Sequence, residues 1–179
     1  IDEDSSDIAS IAKYQWLRDG VEISGATSKE FTLSQSDVAS ALSLNVSYKD
    51  GSDTTETFSS SATAQVENVN DAPTGSIIIS GYLTNGSTLT LDTTTVKDED
   101  GLGTLSTVWK ADGNEISGAA GPTYVLTSSE VGKAISAEIS YTDGFGTVES
   151  MIGTGTAKVT DVLVESIGAI SVINSGTKN

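Results

Sequence analysis

A segment that occurs twice in one chain has to fold the same way twice. Shifted by about 93 residues, this 179-residue sequence comes into register with itself without a gap from Tyr14 to Val69. Trp16 meets Trp109, Asp19-Gly20 meets Asp112-Gly113, and Ile23-Ser24-Gly25-Ala26 meets Ile116-Ser117-Gly118-Ala119. Leu33 meets Leu126, Val38 meets Val131, and Tyr48, Asp50 and Gly51 meet Tyr141, Asp143 and Gly144. Thr63-Ala64 and Val66 meet Thr156-Ala157 and Val159. About four positions in ten are identical over the span, which marks true internal repetition.

The copies differ in completeness. Copy two carries Pro73 to Lys97 before its acidic cluster Asp98-Glu99-Asp100, whereas copy one starts almost at the equivalent cluster, Asp2-Glu3-Asp4. The tail Leu163–Asn179 matches nothing in the repeat. The expected organisation is a first repeat over residues 1–71, incomplete at its N-terminus, a second over 72–162, and a β-prone tail over 163–179. A start at Ile1 rather than Met fits a processed or excised piece.

The local pattern is that of strands. Ser76–Ile79, Thr88–Leu91 and Ala134–Tyr141 are short, rich in β-branched residues and mostly alternating, with Gly, Asn and Asp turns between them. Asp19-Gly20 and Asp112-Gly113 are predicted hairpin turns, because Asp-Gly accepts the positive backbone angles of a primed turn. Asp50-Gly51 and Asp143-Gly144 read the same way. Ser34–Ser40 and Thr127–Lys133 are predicted to form one short helical turn each. Short strands at this spacing, with one tryptophan on a central strand, predict an all-β chain of two tandem immunoglobulin-like β-sandwich domains, the first lacking its N-terminal strands.

Composition narrows the function classes. Twenty-five acidic against nine basic residues give a net charge of -16, which opposes nucleic acid and anionic membrane surfaces as partners. The absence of cysteine and histidine removes disulfides, thiolate zinc sites and Cys- or His-based catalysis. Apolar runs fall short of the roughly 20 residues of a membrane helix, so no membrane insertion is expected.

Tyr14-Gln15-Trp16-Leu17-Arg18-Asp19-Gly20, Ile23-Ser24-Gly25-Ala26-Thr27, Tyr48-Lys49-Asp50-Gly51 and Val69-Asn70-Asp71-Ala72-Pro73 together resemble the tandem immunoglobulin-like and cadherin-like repeats of large RTX-type bacterial surface adhesins. The likeness covers both copies. It implies a non-catalytic extracellular module of a bacterial cell-surface or secreted protein, adjoining neighbouring repeats and stiffened by calcium at the inter-domain junction. Carried over residue by residue, the implied ligands are Glu67, Asn68, Asn70 and Asp71 at the junction, Asp98, Glu99 and Asp100 on the loop, and Asp143 after the tyrosine strand. Calcium suits such a set, since it takes six to eight oxygen ligands. The sequence alone also accommodates a solvated acidic surface at these positions. After Asp161 the tail departs from the repeat, where another Asn-Asp-Ala-Pro junction would continue the array.

Other residues read as architecture. Trp16 and Trp109 occupy equivalent positions on central strands and are expected in the core rather than as carbohydrate platforms. Tyr48 and Tyr141 are expected as core or corner residues. Arg18 faces Ala111 in the alignment, so no repeated role attaches to it. Paired carboxylates could in principle hydrolyse glycosides, but thin sandwiches lack a deep cleft, and no enzyme is expected. The tail brings in an alternative. A β-prone segment such as Val162–Ile173 beside a copy that lacks strands predicts donor-strand exchange between identical subunits, giving a filament or sheath homopolymer.

Overall fold

A computed structural model describes residues 12–161. The tail, Val162–Ile173 within it, and the acidic run from Asp2 to Asp7 lie outside the described residues. The structure is all-β and of sandwich type: eleven strands, two single-turn 3-10 helices, and no helix long and apolar enough to cross a membrane among the described residues. Contacts divide the chain into two compact units. Unit 1 takes the chain up to Ala72 together with Asp98–Gly101 and Gly144–Thr147; unit 2 takes Pro73–Lys97, Leu102–Asp143 and the chain from Val148. Two loops that the repeat assigns to copy two thus group with unit 1.

Unit 2 is a closed sandwich. One sheet orders β11 (Val148–Ile152), β10 (Ile135–Thr142), β7 (Ser106–Ala111) and β8 (Asn114–Ala120). The other orders β5 (Ile78–Ser80), β6 (Thr88–Asp92) and β9 (Thr123–Val125). All pairings within these sheets are antiparallel. Strand alternation sends Ile135, Ala137, Ile139 and Tyr141 of β10 inward and Ser136, Glu138 and Ser140 outward. Leu89 and Leu91 of β6 meet them around Trp109, which is wholly buried. Burying each such aliphatic side chain stabilises the fold by about 1.5–3 kcal/mol.

Unit 1 contains one sheet among the described residues, in the order β2 (Val21–Glu22), β1 (Lys13–Arg18), β3 (Leu42–Lys49), β4 (Thr55–Ser59). It repeats the β8-β7-β10-β11 sheet of unit 2 position by position. Trp16 pairs across from Leu44 as Trp109 does from Ala137, and Tyr14 from Val46 as Thr107 does from Ile139. Residues 30–32, which align with β9, are not a strand. In unit 2, β9 is held by β6, with Tyr124 opposite Leu89. Among the described residues unit 1 has no counterpart of β6, and a strand without a partner leaves its backbone groups unpaired.

The turns follow the sequence in part. Asp19 and Gly20 have φ of 47° and 81°, and Asp112 and Gly113 have the same values. They close two-residue hairpins between Arg18 and Val21 and between Ala111 and Asn114. Asp50-Gly51 and Asp143-Gly144 are not such turns. They open longer loops closed by Lys49 opposite Thr55 and by Thr142 opposite Val148, with the positive φ moved to Asp53 and Gly146. The reason is visible at Asp50, whose Oδ1 accepts the backbone N–H of Ser52 at 2.9 Å and of Thr54 at 2.8 Å. That carboxylate shapes a loop instead of sitting inside a tight turn. The helical turns form at Gln35–Asp37 and Ser128–Glu130.

Candidate functional site

The acidic residues singled out above come together only in part. Asp100 is the centre: its side chain is buried, and both carboxylate oxygens accept hydrogen bonds within unit 1. Gln35 Nε2 donates to Oδ1 at 2.7 Å, and the Asp71 backbone N–H donates to Oδ2 at 2.7 Å. Gln35 Nε2 also donates to Asn68 Oδ1 at 3.0 Å. Asp98 Oδ1 accepts the Asp100 backbone N–H at 2.8 Å, an Asx turn that fixes the loop. Asp100, Asp98, Asn68 and Asp71 are therefore linked through Gln35 and two backbone amides. Glu67, Asn70 and Glu99 are exposed, as is the Asp71 side chain. Asp143 is buried and belongs to unit 2.

The donor set is all oxygen, which suits a hard cation such as calcium. Burying a carboxylate among neutral donors alone carries a desolvation cost. Among the described residues, however, no three acidic side chains stand close enough to make a ready-formed metal group. The fit to calcium is one of chemistry and not of present spacing.

Two further carboxylates went unnoticed in the sequence. Asp37 and Glu130 are equivalent, both buried, and each ends a 3-10 turn. The Ser34 backbone N–H donates to Asp37 Oδ2 at 2.8 Å, as the Thr127 backbone N–H does to Glu130 Oε2 at 2.8 Å. Burial pushes the Asp37 carboxyl up, but the Ser34 amide, the Arg18 guanidinium and the Ser34 hydroxyl together hold it below the ordinary value. Glu130 is likewise raised by burial and then held low by the Thr127 hydroxyl and amide, Tyr124 and Lys133. Tyr124 is pushed up by burial and by the Glu130 carboxylate. Arg18 Nε donates to Asp37 Oδ1 at 2.9 Å, so this arginine neutralises a buried acid. The signal was present as a capping pattern, Ser34 or Thr127 followed three residues later by an acid.

The remaining candidates are structural. Trp109 Nε1 donates to Gly121 O at 3.0 Å, and its ring lies 5.8 Å from that of Tyr124. Trp16 repeats both contacts, with Ser28 O at 3.0 Å and Phe31 at 5.6 Å, but is only half-buried. Tyr48 and Tyr141 are buried. A cavity of about 600 Å³ in unit 1 lies on the polar sheet face and is lined in part by Lys13, Gln15, Asn45 and Thr57. The repeat replaces these with Ser106, Val108, Glu138 and Ser150, so no shared binding site runs through both copies.

On the opposite face of the unit 1 sheet Leu42 and Tyr48 are buried, but among the described residues the middle of this apolar face is less covered than in unit 2. Leu33 is 52 % exposed where its counterpart Leu126 is 1 % exposed, and Phe58 is 59 % exposed where Met151 is half-buried. Leu44 and Val46 are half-buried where Ala137 and Ile139 are fully buried.

No family model matches the chain, and none of the curated proteins matches it.

Proposed function

We propose that the chain is a non-catalytic structural module, a pair of sandwich repeats serving as a spacer in an extracellular adhesion protein of a bacterial surface. The observation that carries this reading is what the two copies share. Asp19 Oδ1 and Asp112 Oδ1 each accept the backbone N–H of the alanine that precedes the central strand, at 2.9 Å. Thr63 Oγ1 and Thr156 Oγ1 each accept the first backbone N–H of that strand, at 3.0 Å. The Trp clamps and capping acids also recur, whereas the residues lining the large polar cavity do not. Repetition that preserves pins and core, and lets the surface drift, is what a load-bearing repeat needs. The resemblance to RTX-type adhesin repeats supports the same reading. The partners it implies are neighbouring repeats.

Calcium belongs to this proposal as a stiffening ion. Asp98, Asp100, Asn68 and Asp71 would hold it, with Glu67, Asn70 and Glu99 as the further oxygen donors carried over from the resemblance. The buried, neutrally solvated Asp100 carboxylate is the group that supports it. Melting in calcium, magnesium and EDTA tests the ion. Binding to the folded state raises the melting temperature, so calcium is expected to raise it by several degrees, with Asp100→Asn removing the shift. Superimposable curves would reduce these acids to surface charge. Pulling the chain by its ends tests the spacer role. A high-force unfolding step from the sandwich of unit 2 is expected, with unit 1 opening at lower force; smooth extension at low force throughout would refute a load-bearing module.

A further inference from the structure

We propose that unit 2 carries a receptor pocket for a guanidinium group, at the place where unit 1 seats the side chain of its own Arg18. The ligand is the arginine side chain of a partner protein or a free guanidinium compound. The inference goes beyond the spacer reading and draws nothing from calcium.

The two copies supply the comparison. Arg18 ends β1 opposite Leu42, and Ala111 ends β7 opposite Ile135, so the two positions match in the sheets as well as in the repeat. In unit 1 the guanidinium reaches the 3-10 turn. Its Nε donates to Asp37 Oδ1 at 2.9 Å, and its Nη2 donates to Ser36 Oγ at 3.0 Å and to the same carboxylate oxygen. Asp37 Oδ2 accepts the Ser34 backbone N–H at 2.8 Å and the Ser34 hydroxyl at 3.0 Å. One oxygen thus caps the turn and the other holds the cation.

Unit 2 keeps the receptor and drops the arginine. Glu130 stands at the position of Asp37, Ser129 at that of Ser36 and Thr127 at that of Ser34. Glu130 is buried like Asp37, and its Oε2 accepts the Thr127 backbone N–H at 2.8 Å and the Thr127 hydroxyl at 2.7 Å. The capping half of the arrangement is therefore the same. The methyl group of Ala111 is too short to fill the place of the Arg18 side chain. A cavity of about 290 Å³ opens there, lined in part by Ala111, Asp112, Glu115, Glu130 and Lys133, all within unit 2.

Charge and shape select the ligand. Three carboxylates and one ammonium border the cavity, a formal excess of two negative charges, which favours a cation. Lys133 is exposed and acts on Glu130 through its charge, and the Tyr124 hydroxyl adds a hydrogen bond that Phe31 cannot give in unit 1. These two stabilise the carboxylate without filling the cavity. A planar guanidinium can donate to a carboxylate and a neighbouring hydroxyl at once, a fork that a compact ammonium does not reproduce. Arg18 makes that fork to Asp37 and Ser36 in unit 1.

The test is a titration of the full chain with N-acetylarginine amide, N-acetyllysine amide and methylguanidinium, read from the backbone amide resonances of Thr127, Ser129 and Glu130. Saturable shifts at these amides are expected with the arginine compound, with binding at least about fivefold weaker for the lysine compound. Ala111→Arg should abolish the shifts, because the new side chain occupies the cavity from within. Arg18→Ala should open the matching cavity in unit 1 and add saturable shifts at Ser34, Ser36 and Asp37. Tighter binding of the capped arginine than of methylguanidinium would assign the pocket to a protein side chain, and the reverse order to a free guanidinium compound. No saturable shift at Glu130, or equal affinity for arginine and lysine, would overturn the proposal. Binding that survives in a folded Ala111→Arg chain would overturn it too. If that variant does not fold, Arg18→Ala decides, and an absence of new shifts in unit 1 would count against the pocket.

Discussion

Units 1 and 2 carry the same sheet under different burial. Each has an Asp-Gly hairpin with φ of 47° and 81°, a tryptophan Nε1 bonded to a carbonyl 12 residues on, and a threonine hydroxyl accepting the first amide of the central strand. Yet Trp109 is fully buried and Trp16 half-exposed, and Leu126 is enclosed where Leu33 is not. Sheet geometry is thus set by local pins and cross-strand pairing, whereas a core needs a second layer. A single sheet with one bare apolar face is marginal by itself.

The largest expected effect separates the tryptophans. Trp109→Ala should cost about 3–5 kcal/mol by chemical denaturation, because it opens a cavity in a closed core. Trp16→Ala should cost roughly 1–2 kcal/mol, since much of its ring surface is already in water. Equal losses would mean that the unit 1 face is covered in solution. The same contrast at smaller scale sets Leu126→Ala, at about 2–4 kcal/mol, against Leu33→Ala, at a few tenths.

The capping acids sharpen the comparison next. Arg18→Ala strands the buried Asp37 carboxylate and should cost about 2 kcal/mol, while the double variant Arg18→Ala/Asp37→Ala should recover part of it. A double variant less stable than Arg18→Ala would contradict that pairing. Both Asp37 and Glu130 titrate below their ordinary values. Their stabilisation is therefore complete above the unfolded carboxylate range near pH 4 and lost as pH falls through the lower folded values. Thermal melts from pH 6 down to pH 2 should show a loss that is shallower in Asp37→Asn and Glu130→Gln. A parallel decline in all forms would remove these two residues from the acid response.

The smallest effect is at Ala39, which holds φ of 64° where the repeat places Gly132 at 83°. Ala39→Gly should stabilise unit 1 by about 0.5–1 kcal/mol and Gly132→Ala should destabilise unit 2 by a similar amount. Both are readable as shifts in denaturation midpoint. Changes of the opposite sign would mean that the glycine's unfolded-state entropy outweighs the relief of strain.

Most of the architecture was legible because it lies in periodicity and repetition. The alternation in Ala134–Tyr141 announced β10, and the 93-residue repeat announced a second sheet with the strand order of the first. The Asp50 and Asp143 loops were not legible as loops, since the Asp-Gly pair alone does not reveal that Asp50 turns its carboxylate onto Ser52 and Thr54. At the acidic site the sequence grouped eight residues, and hydrogen bonds link four of them, Asp98, Asp100, Asn68 and Asp71. Gln35, which ties Asn68 to Asp100, was not, because it stands 65 positions from Asp100 and only the fold joins them. Arg18 was set aside for lacking a counterpart. In fact the buried acid is conserved between the copies and only its cation changes place, to Lys133.

The most direct test of the asymmetry is amide hydrogen exchange along β3 and β10 in the same dilute sample and again at high concentration. The structure predicts that Ile135–Thr142 exchange only through global opening of unit 2 at both concentrations. It predicts that Leu42–Lys49 exchange much faster than Ile135–Thr142 at both concentrations. Equal protection of the two strands in the dilute sample would contradict an open first sheet.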